Sequence, residues 1–574
     1  MSSSVLFLAL RRLRAPLIYL IVSFAVGIVG LVLIPGVGPD GQPWQMSVLQ
    51  ALYFMAYTAS TTGFGEIPRP FTDTQRLWAT VMIFSSVFGW AFLVARLIGL
   101  AQDRAFRGAL IATRFARRVR ALSEPFYLIC GFGETGSLVG RALDDLGFRF
   151  VVVDIDETRV QELDLLDLVQ AAPALTADAK LPANLLAAGL RHRYCRGVIA
   201  LTNDDQANLA VAMSVRLLNP KVPVLARAMN RETAANLASF DTDHIINPFA
   251  TFGRYLALAV ASPGASQLLR WLTGMPGWTL RPETAPPHGH WVVCGYGRFG
   301  RECVRALRKQ GLDVTIIDPN AKPEDGIHAV RGVGTEAEPL RAAGVEGAVG
   351  IVAGTDDDVT NLSIVVTARQ ITRDLFTVVR QNLQANHALF DAFDADITMV
   401  SSEIVAHECL ARIHTPLLAR FLLLAREQGE EWSDLLVARL KTSLGEATPE
   451  IWSVAMTASG AHALHRALLL EGTTIRVGDL RRDPGDRETQ LACDVLYLSS
   501  GRAAALLPTD DIALAPGDEL LFAGKPAARR AQLQTLRNVN VRDYVVSGID
   551  RPGGWIWQWL TRRPNAPRQP GARN

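Results

Sequence analysis

Residues 57–66 read Tyr-Thr-Ala-Ser-Thr-Thr-Gly-Phe-Gly-Glu and lie between two apolar stretches long enough to span a bilayer. No other feature narrows the fold as far. Backbone inside a membrane must satisfy its own hydrogen bonds unless it lines a cavity or is buried in protein. The run Thr61-Thr62-Gly63-Phe64-Gly65 offers successive carbonyls, with glycines where a side chain would block the geometry. Rings of such carbonyls replace the hydration shell of a K⁺ ion.

The stretch Leu17–Ile34 carries no charge and is bounded by Arg11, Arg12 and Arg14 before it and Pro35-Gly36 after it. A second apolar run goes from Leu77 to Ala95 and on past Arg96 to Leu100. Each is near the roughly 20 residues that a spanning helix needs. A signal peptide is disfavoured, because no small-residue cleavage site precedes the Pro-Gly turn and a second span follows. Arginines crowd the outer ends of the pair, at 11, 12, 14, 104, 107, 114, 117, 118 and 120, while the connecting loop holds only Arg69 and Arg76. Two spans in the cell (inner) membrane with both termini cytoplasmic are therefore expected.

Residues 44–59 are mostly apolar but too short to cross, so a half-helix entering and returning is expected. Its C-terminal dipole end would face a cation. One such chain cannot enclose a pore, and a ring of identical loops implies a symmetric homo-oligomer. Gly89, near the middle of the second span, is a candidate gating hinge or a small residue for helix packing.

Residues 51–66 resemble the potassium-channel pore family without a gap, ending in TTGFGE where TVGYGD is usual. The resemblance implies a filter of Thr61, Thr62, Gly63, Phe64 and Gly65, K⁺ within it, and a homotetramer. Thr62, Phe64 and Glu66 depart from the family pattern, as does Tyr53-Phe54 where a Trp pair is common. Phe64 lacks the phenolic hydroxyl that often braces the filter, so the bracing must differ and strictness of K⁺ selectivity is the point at issue.

The rest of the chain repeats itself. Strand Tyr127–Cys130 runs into Gly131-Phe132-Gly133-Glu134-Thr135-Gly136, a helix, and a strand ending at Asp154. Strand Trp291–Cys294 runs into Gly295-Tyr296-Gly297-Arg298-Phe299-Gly300, a helix, and a strand ending at Asp318. One offset separates both pairs of landmarks, so two copies of a βαβ unit are present. The glycines allow a tight turn and close approach of a pyrophosphate to the helix N-terminus, and each aspartate is placed for ribose hydroxyls. Asp154 and Asp318 disfavour a 2′-phosphate, which selects NAD(H) or an adenine nucleotide (ADP or ATP) as regulatory ligand. Glu134 would repel a phosphate where Arg298 or Arg301 would attract one. The two clefts therefore prefer different ligands, or one is vestigial.

The repeat continues through Val198–Asp205 with Asn208-Leu209, matched by Val349–Asp357 with Asn361-Leu362, and through Val222–Arg227 matched by Phe376–Arg380. This pattern resembles the RCK (TrkA-N-like) domains that regulate K⁺ conductance. By that resemblance Thr202, Asn203 and Arg227, and Gly354, Thr355 and Arg380, also face the nucleotide. Residues 504–524 resemble the end of an RCK C-terminal (TrkA-C-like) lobe. The fold class expected is an α-helical two-span membrane pore domain, then α/β: two tandem Rossmann-like RCK domains and a small α+β C-terminal lobe. The expected layout is pore domain 1–105, linker 106–123 continuing the second span as a helix, first RCK domain 124–262, linker 263–287, second RCK domain 288–425, C-terminal lobe 426–540 and tail 541–574. The Trp-rich part of that tail, residues 553–563, could touch membrane lipid or another subunit.

Composition excludes little but usefully. A net charge of +2 over 574 residues gives no electrostatic case for a nucleic-acid partner. Six scattered cysteines show no zinc or disulfide spacing. The run Asp356-Asp357-Asp358 could bind Ca²⁺, though such residues more often cap a helix. No acid/base constellation nominates an enzyme. The expectation is a ligand-gated K⁺ channel. The alternative is a nucleotide-sensing membrane protein with a weakly selective or non-conducting pore. Shifting a gate from 1:99 to 99:1 takes about 5.5 kcal/mol in total, or about 0.7 kcal/mol for each of eight Rossmann units in a tetramer.

Overall fold

The computed structural model describes residues 2–60, 62–66, 68–274, 284–322, 327–414, 416–501 and 504–549. Thr61, part of the middle linker and the Trp-rich tail thus lie outside the described residues. The chain divides into two compact units.

The first unit holds residues 1–124 with two short later pieces, 173–177 and 183–194. Its helices are Ser2–Leu33, Val48–Ala59, Asp73–Gln102 and Arg104–Arg120. Leu13–Leu33 and Asp73–Gln102 are long and apolar enough to cross a membrane, and large apolar side chains such as Ile21 and Phe88 stand exposed along them. An apolar surface of that extent on a soluble chain would be a liability. The two long helices pack through small residues: Trp78 lies where a side chain at Gly30 would be, and its indole donates to the Gly27 carbonyl at 3.3 Å. Ser23 and Ser85 share a hydrogen bond of 2.8 Å across the same seam. The half-helix is shorter than expected. Pro43–Trp44 pairs with Gly36–Val37, and Ser47 and Gln50 then open Val48–Ala59 with a reciprocal cap.

The linker does not continue the second span. That helix stops at Asp103, whose extended backbone (φ −66°, ψ 120°) ends one helix while its carboxylate caps the next, accepting from Phe106 N at 2.9 Å. Aspartate at an N-cap stabilises the new start by about 1 kcal/mol.

The second unit carries both repeats. In the first, Arg149–Asp154, Phe126–Cys130, Cys195–Ala200, Val224–Arg227 and His244–Ile246 lie side by side, all parallel. In the second, the order is His328–Arg331, Asp313–Asp318, His290–Cys294, Gly350–Ala353, Phe376–Gln381 and Ile397–Val400, again parallel. Near-continuous apolar strands such as Tyr127-Leu-Ile-Cys130 suit sheets covered on both faces.

The repeats exchange helices. Pro248–Ala261, which follows the last strand of the first repeat, packs on Arg298–Lys309, the first helix of the second. Ser401–His414 reciprocates against Glu134–Asp145. Arg231 donates to Glu302 at 2.7 and 2.8 Å across this interface, and Tyr255 donates to Glu408 at 2.9 Å.

The expected linker 263–287 begins as the helix Pro263–Thr273. Proline is tolerated at the first helical turn, and Leu268, Trp271 and Leu272 are buried against helices Pro416–Glu427 and Glu430–Leu444. The C-terminal lobe is a four-stranded antiparallel sheet, ordered Glu450–Ala455, Glu519–Gly524, Cys493–Ser499 and Ala504–Leu506. It extends past the expected end at 540 through the helix Val539–Ser547.

Candidate functional site

The filter segment follows directly from the half-helix. Ser60 ends the helix, and Thr62 N donates to the Tyr57 carbonyl at 2.9 Å. From there the chain is irregular, with Gly63 at φ +67° and Gly65 at φ +92°. Those values lie where side chains rarely go, and they turn successive peptide planes. The Phe64 ring is mostly exposed.

The missing phenol has a substitute. Tyr57, on the last turn of the half-helix, donates its hydroxyl to the Gly65 carbonyl at 2.5 Å. Its ring stands edge-on to Phe64 at 5.5 Å and to Phe54 at 5.3 Å. Tyr57 therefore ties this loop to the helix that precedes it, a contact that no spacing rule in the sequence exposes. Beyond the glycine, Glu66 accepts from Arg76 at 2.9 and 3.3 Å and from Phe71 N at 2.8 Å. Those bonds, Arg76's first, hold its carboxyl below the usual range. Tyr57→Phe is expected to keep conduction but lower K⁺ over Na⁺ permeability several-fold, measured by reversal potentials. An unchanged ratio would remove Tyr57 from the filter's support.

Gly89 sits in an unbroken stretch of helix Asp73–Gln102. A Cβ there would meet Leu20 Cδ2 at 2.6 Å and the Tyr19 ring at 3.2 Å, so it makes room for the first span.

The first repeat folds its glycine loop as expected. Gly131 has φ +95°, and a Cβ on Gly136 would stand 2.2 Å from the Gly131 carbonyl oxygen. Gly133 opens the helix Glu134–Asp145. Asp154 fastens the loop: its carboxylate accepts from Phe132 N at 2.5 Å and Asp156 N at 2.8 Å. Around it lies a cavity of ≈ 530 Å³ bordered by Gly131, Gly133, Glu134, Thr135, Asp154, Thr202, Asn203 and Arg227, with Ser401 and Ser402 from the other repeat. That is within the size range of about 300–1,000 Å³ for small-molecule sites. Phe132 is buried beneath the loop. Glu134 accepts from Gln384 N of the second repeat at 3.1 Å.

Arg227 is the buried cation of this cavity, which Glu134, Asp154, Asp156, Arg159, Asp178, Lys180 and Asp204 also line. It is 9% exposed, and its guanidinium donates to Asn203 Oδ1 at 3.1 Å and to Met229 Sδ at 3.2 Å, both neutral acceptors. Burial pushes its pKa down, only partly offset by Asp205. A buried cation without a directly bonded anion favours an anionic ligand. Asn208, fully buried, knits the site together by bonding the backbone at Thr202 and Arg227. Asn361 does the same for Thr355 and Arg380. These asparagines were visible in the repeat pattern but not as structural ties.

In the second repeat Gly295 has φ +92°, Gly300 packs against the Gly295 carbonyl, and Asp318 accepts from Tyr296 N and Asn320 N at 2.8 Å each. Gly297 opens the helix that begins at Arg298. Phe299 is fully buried, and its ring lies where a side chain at Gly354 would be. Arg380 pairs with Asp356 at 2.7 Å. The acidic run is otherwise engaged: Asp357 caps a helix, accepting from Thr360 N at 2.7 Å, and Asp358 accepts from Asn382 N, Leu383 N and Asn386 Nδ2. Among the described residues no three His, Cys, Asp or Glu side chains cluster as metal ligands.

Residues 17–103 match the ion channel family model, and residues 127–248 and 291–401 each match the TrkA-N domain. The chain joins an ion-channel domain to two TrkA-N domains and is homologous to potassium channel proteins. It is 24% identical over 213 residues to potassium channel protein 1 of Methanocaldococcus jannaschii, covering 37% of this chain and 62% of that one. It is 28% identical over 245 residues to an uncharacterized protein of Methanothermus fervidus, covering 42% and 36%. The chain thus spans less than two thirds of the length of these relatives. Among solved structures it is similar to a GsuK channel bound to NAD, with TM-score 0.43 at 18% identity over 93% of this chain and 99% of that one.

Proposed function

We propose that the chain conducts K⁺ as a homotetramer in the cell membrane, both termini cytoplasmic, and that a nucleotide bound by its TrkA-N repeats sets the open fraction. One observation carries the channel reading. A half-helix between two spans runs into Thr62–Gly65, irregular backbone with two positive-φ glycines. Carbonyls so presented suit a dehydrated K⁺ ion once four copies form a ring. The nucleotide part draws support from the glycine loop, Asp154 and the buried Arg227 around one cavity. The ligand, NAD(H) or an adenine nucleotide, is bound and not consumed. Its binding energy, different for open and closed states, is what moves the gate. The repeats join the pore domain through the helix Arg104–Arg120, which is the covalent path for that movement.

The test is single-channel recording of the purified protein in bilayers, with NAD⁺, NADH, ADP, ATP and Ca²⁺ added in turn. K⁺ currents whose open fraction responds to a nucleotide are expected. Absence of K⁺ current under every condition overturns the reading. Currents carried equally by Na⁺ select the weakly selective pore instead. Consumption of NADH would make the chain an enzyme.

A further inference from the structure

The two repeats align residue by residue through their glycine loops and strand registers. Thr135 corresponds to Phe299, Asn203 to Asp356 and Arg227 to Arg380. Because the repeats exchange helices, Ser402 borders the first cleft and its counterpart Phe249 meets the second. The arginine is common to both clefts; at the other three positions they differ, and these three differences point one way, against the opposite bias of Glu134 where the second repeat has Arg298.

In the first cleft, threonine and serine leave the cavity open, and Arg227 has an amide as its partner. In the second, the Phe249 ring, 1% exposed, packs 5.9 Å from Phe299. The Arg380 guanidinium lies over Phe249 at 4.9 Å and Phe299 at 6.0 Å while bonded to the Asp356 carboxylate at 2.7 Å. The Arg298 guanidinium also lies 5.9 Å from the Phe249 ring centre. Cation–π contacts and an ion pair thus neutralise Arg380, whose buried Nε alone has no hydrogen-bond partner, whereas Arg227 has no bonded anion.

We infer that each chain takes one nucleotide, in the first cleft, and that the second cleft is occupied by the chain's own side chains. Asp356 stands where a phosphate would neutralise Arg380, and Phe249 fills the volume that Ser402 leaves open in the first cleft. This rests on the nucleotide reading above. Asp318 then serves as a clamp for its glycine loop and not as a ribose ligand. A homotetramer carries four ligands, not eight.

Equilibrium dialysis of the full-length protein in detergent, with radiolabelled NAD⁺ or ADP, tests this. One nucleotide per chain is expected for the wild type. The double variant Phe249→Ser, Asp356→Asn copies the first cleft into the second and should raise this to two. Because Phe249 is buried and its loss can unfold the repeat, Asn203→Asp supplies an independent arm. It places a carboxylate beside Arg227, as Asp356 lies beside Arg380, and should weaken the single binding event at least tenfold. Two nucleotides per wild-type chain would overturn the inference while leaving the nucleotide reading intact. Undiminished binding by Asn203→Asp would also overturn it. Binding of none by the wild type would overturn both.

Discussion

Gly63→Ala or Gly65→Ala is expected to reduce K⁺ flux into liposomes at least a hundredfold, with the tetramer still assembled. The two glycines hold φ +67° and +92°. An L side chain at such angles costs roughly 1–2 kcal/mol per residue. Among the described residues nothing lies within 4 Å of a Cβ at either position, so the penalty is conformational, and a relaxed peptide plane is the cheap escape. Rotation of that plane turns a carbonyl away from the ion path, and in a tetramer it does so four times. Size-exclusion chromatography separates this outcome from failed assembly. Flux retained by both variants would mean that Thr62–Gly65 does not form the filter.

Asp154→Ala is expected to weaken nucleotide binding about 10–100-fold and to abolish the nucleotide response at ligand concentrations that saturate the wild type. Hydrogen bonds to a charged partner contribute about 1.5–3 kcal/mol. Asp154 also holds the glycine loop through Phe132 N and the start of the next helix through Asp156 N, so loop order and ligand contact are lost together. K⁺ over Na⁺ selectivity should not move, because the filter stands in the other compact unit. Isothermal titration and reversal potentials on one preparation check both halves. A normal nucleotide response from Asp154→Ala would sink the assignment of the first cleft.

One ligand per chain changes the energetics of gating. Four sites must supply the roughly 5.5 kcal/mol that carries a gate from 1:99 to 99:1, which is about 1.4 kcal/mol each. A tenfold preference per site for one gate state meets that figure. Eight sites would have needed about half as much from each.

Much of this architecture was legible in the chain. The two spans, the half-helix between them, the repeated glycine loops and the aspartates at the strand ends are local patterns. They follow from period, turn chemistry and length. Two local signals were available and misread. Asp103 is an ordinary N-cap residue, yet the basic run after it read as a continuation of the span. Pro263-Gly264 read as a linker, although proline suits the first turn of a helix and Leu268, Trp271 and Leu272 follow at helical spacing.

Other features were not legible because they depend on residues brought together from a distance. The Tyr57–Gly65 bond requires the half-helix to end where its last turn faces the returning strand. The filling of the second cleft requires Phe249 to reach Phe299 by exchange of helices between repeats. By itself the sequence determined what each segment is: a half-helix and glycine-bearing loop between two spans, then two Rossmann-like repeats. Tertiary structure alone decided whether each arginine faces a serine or a phenyl ring, because that side chain comes from the other repeat and is set by packing across the interface and not along the chain.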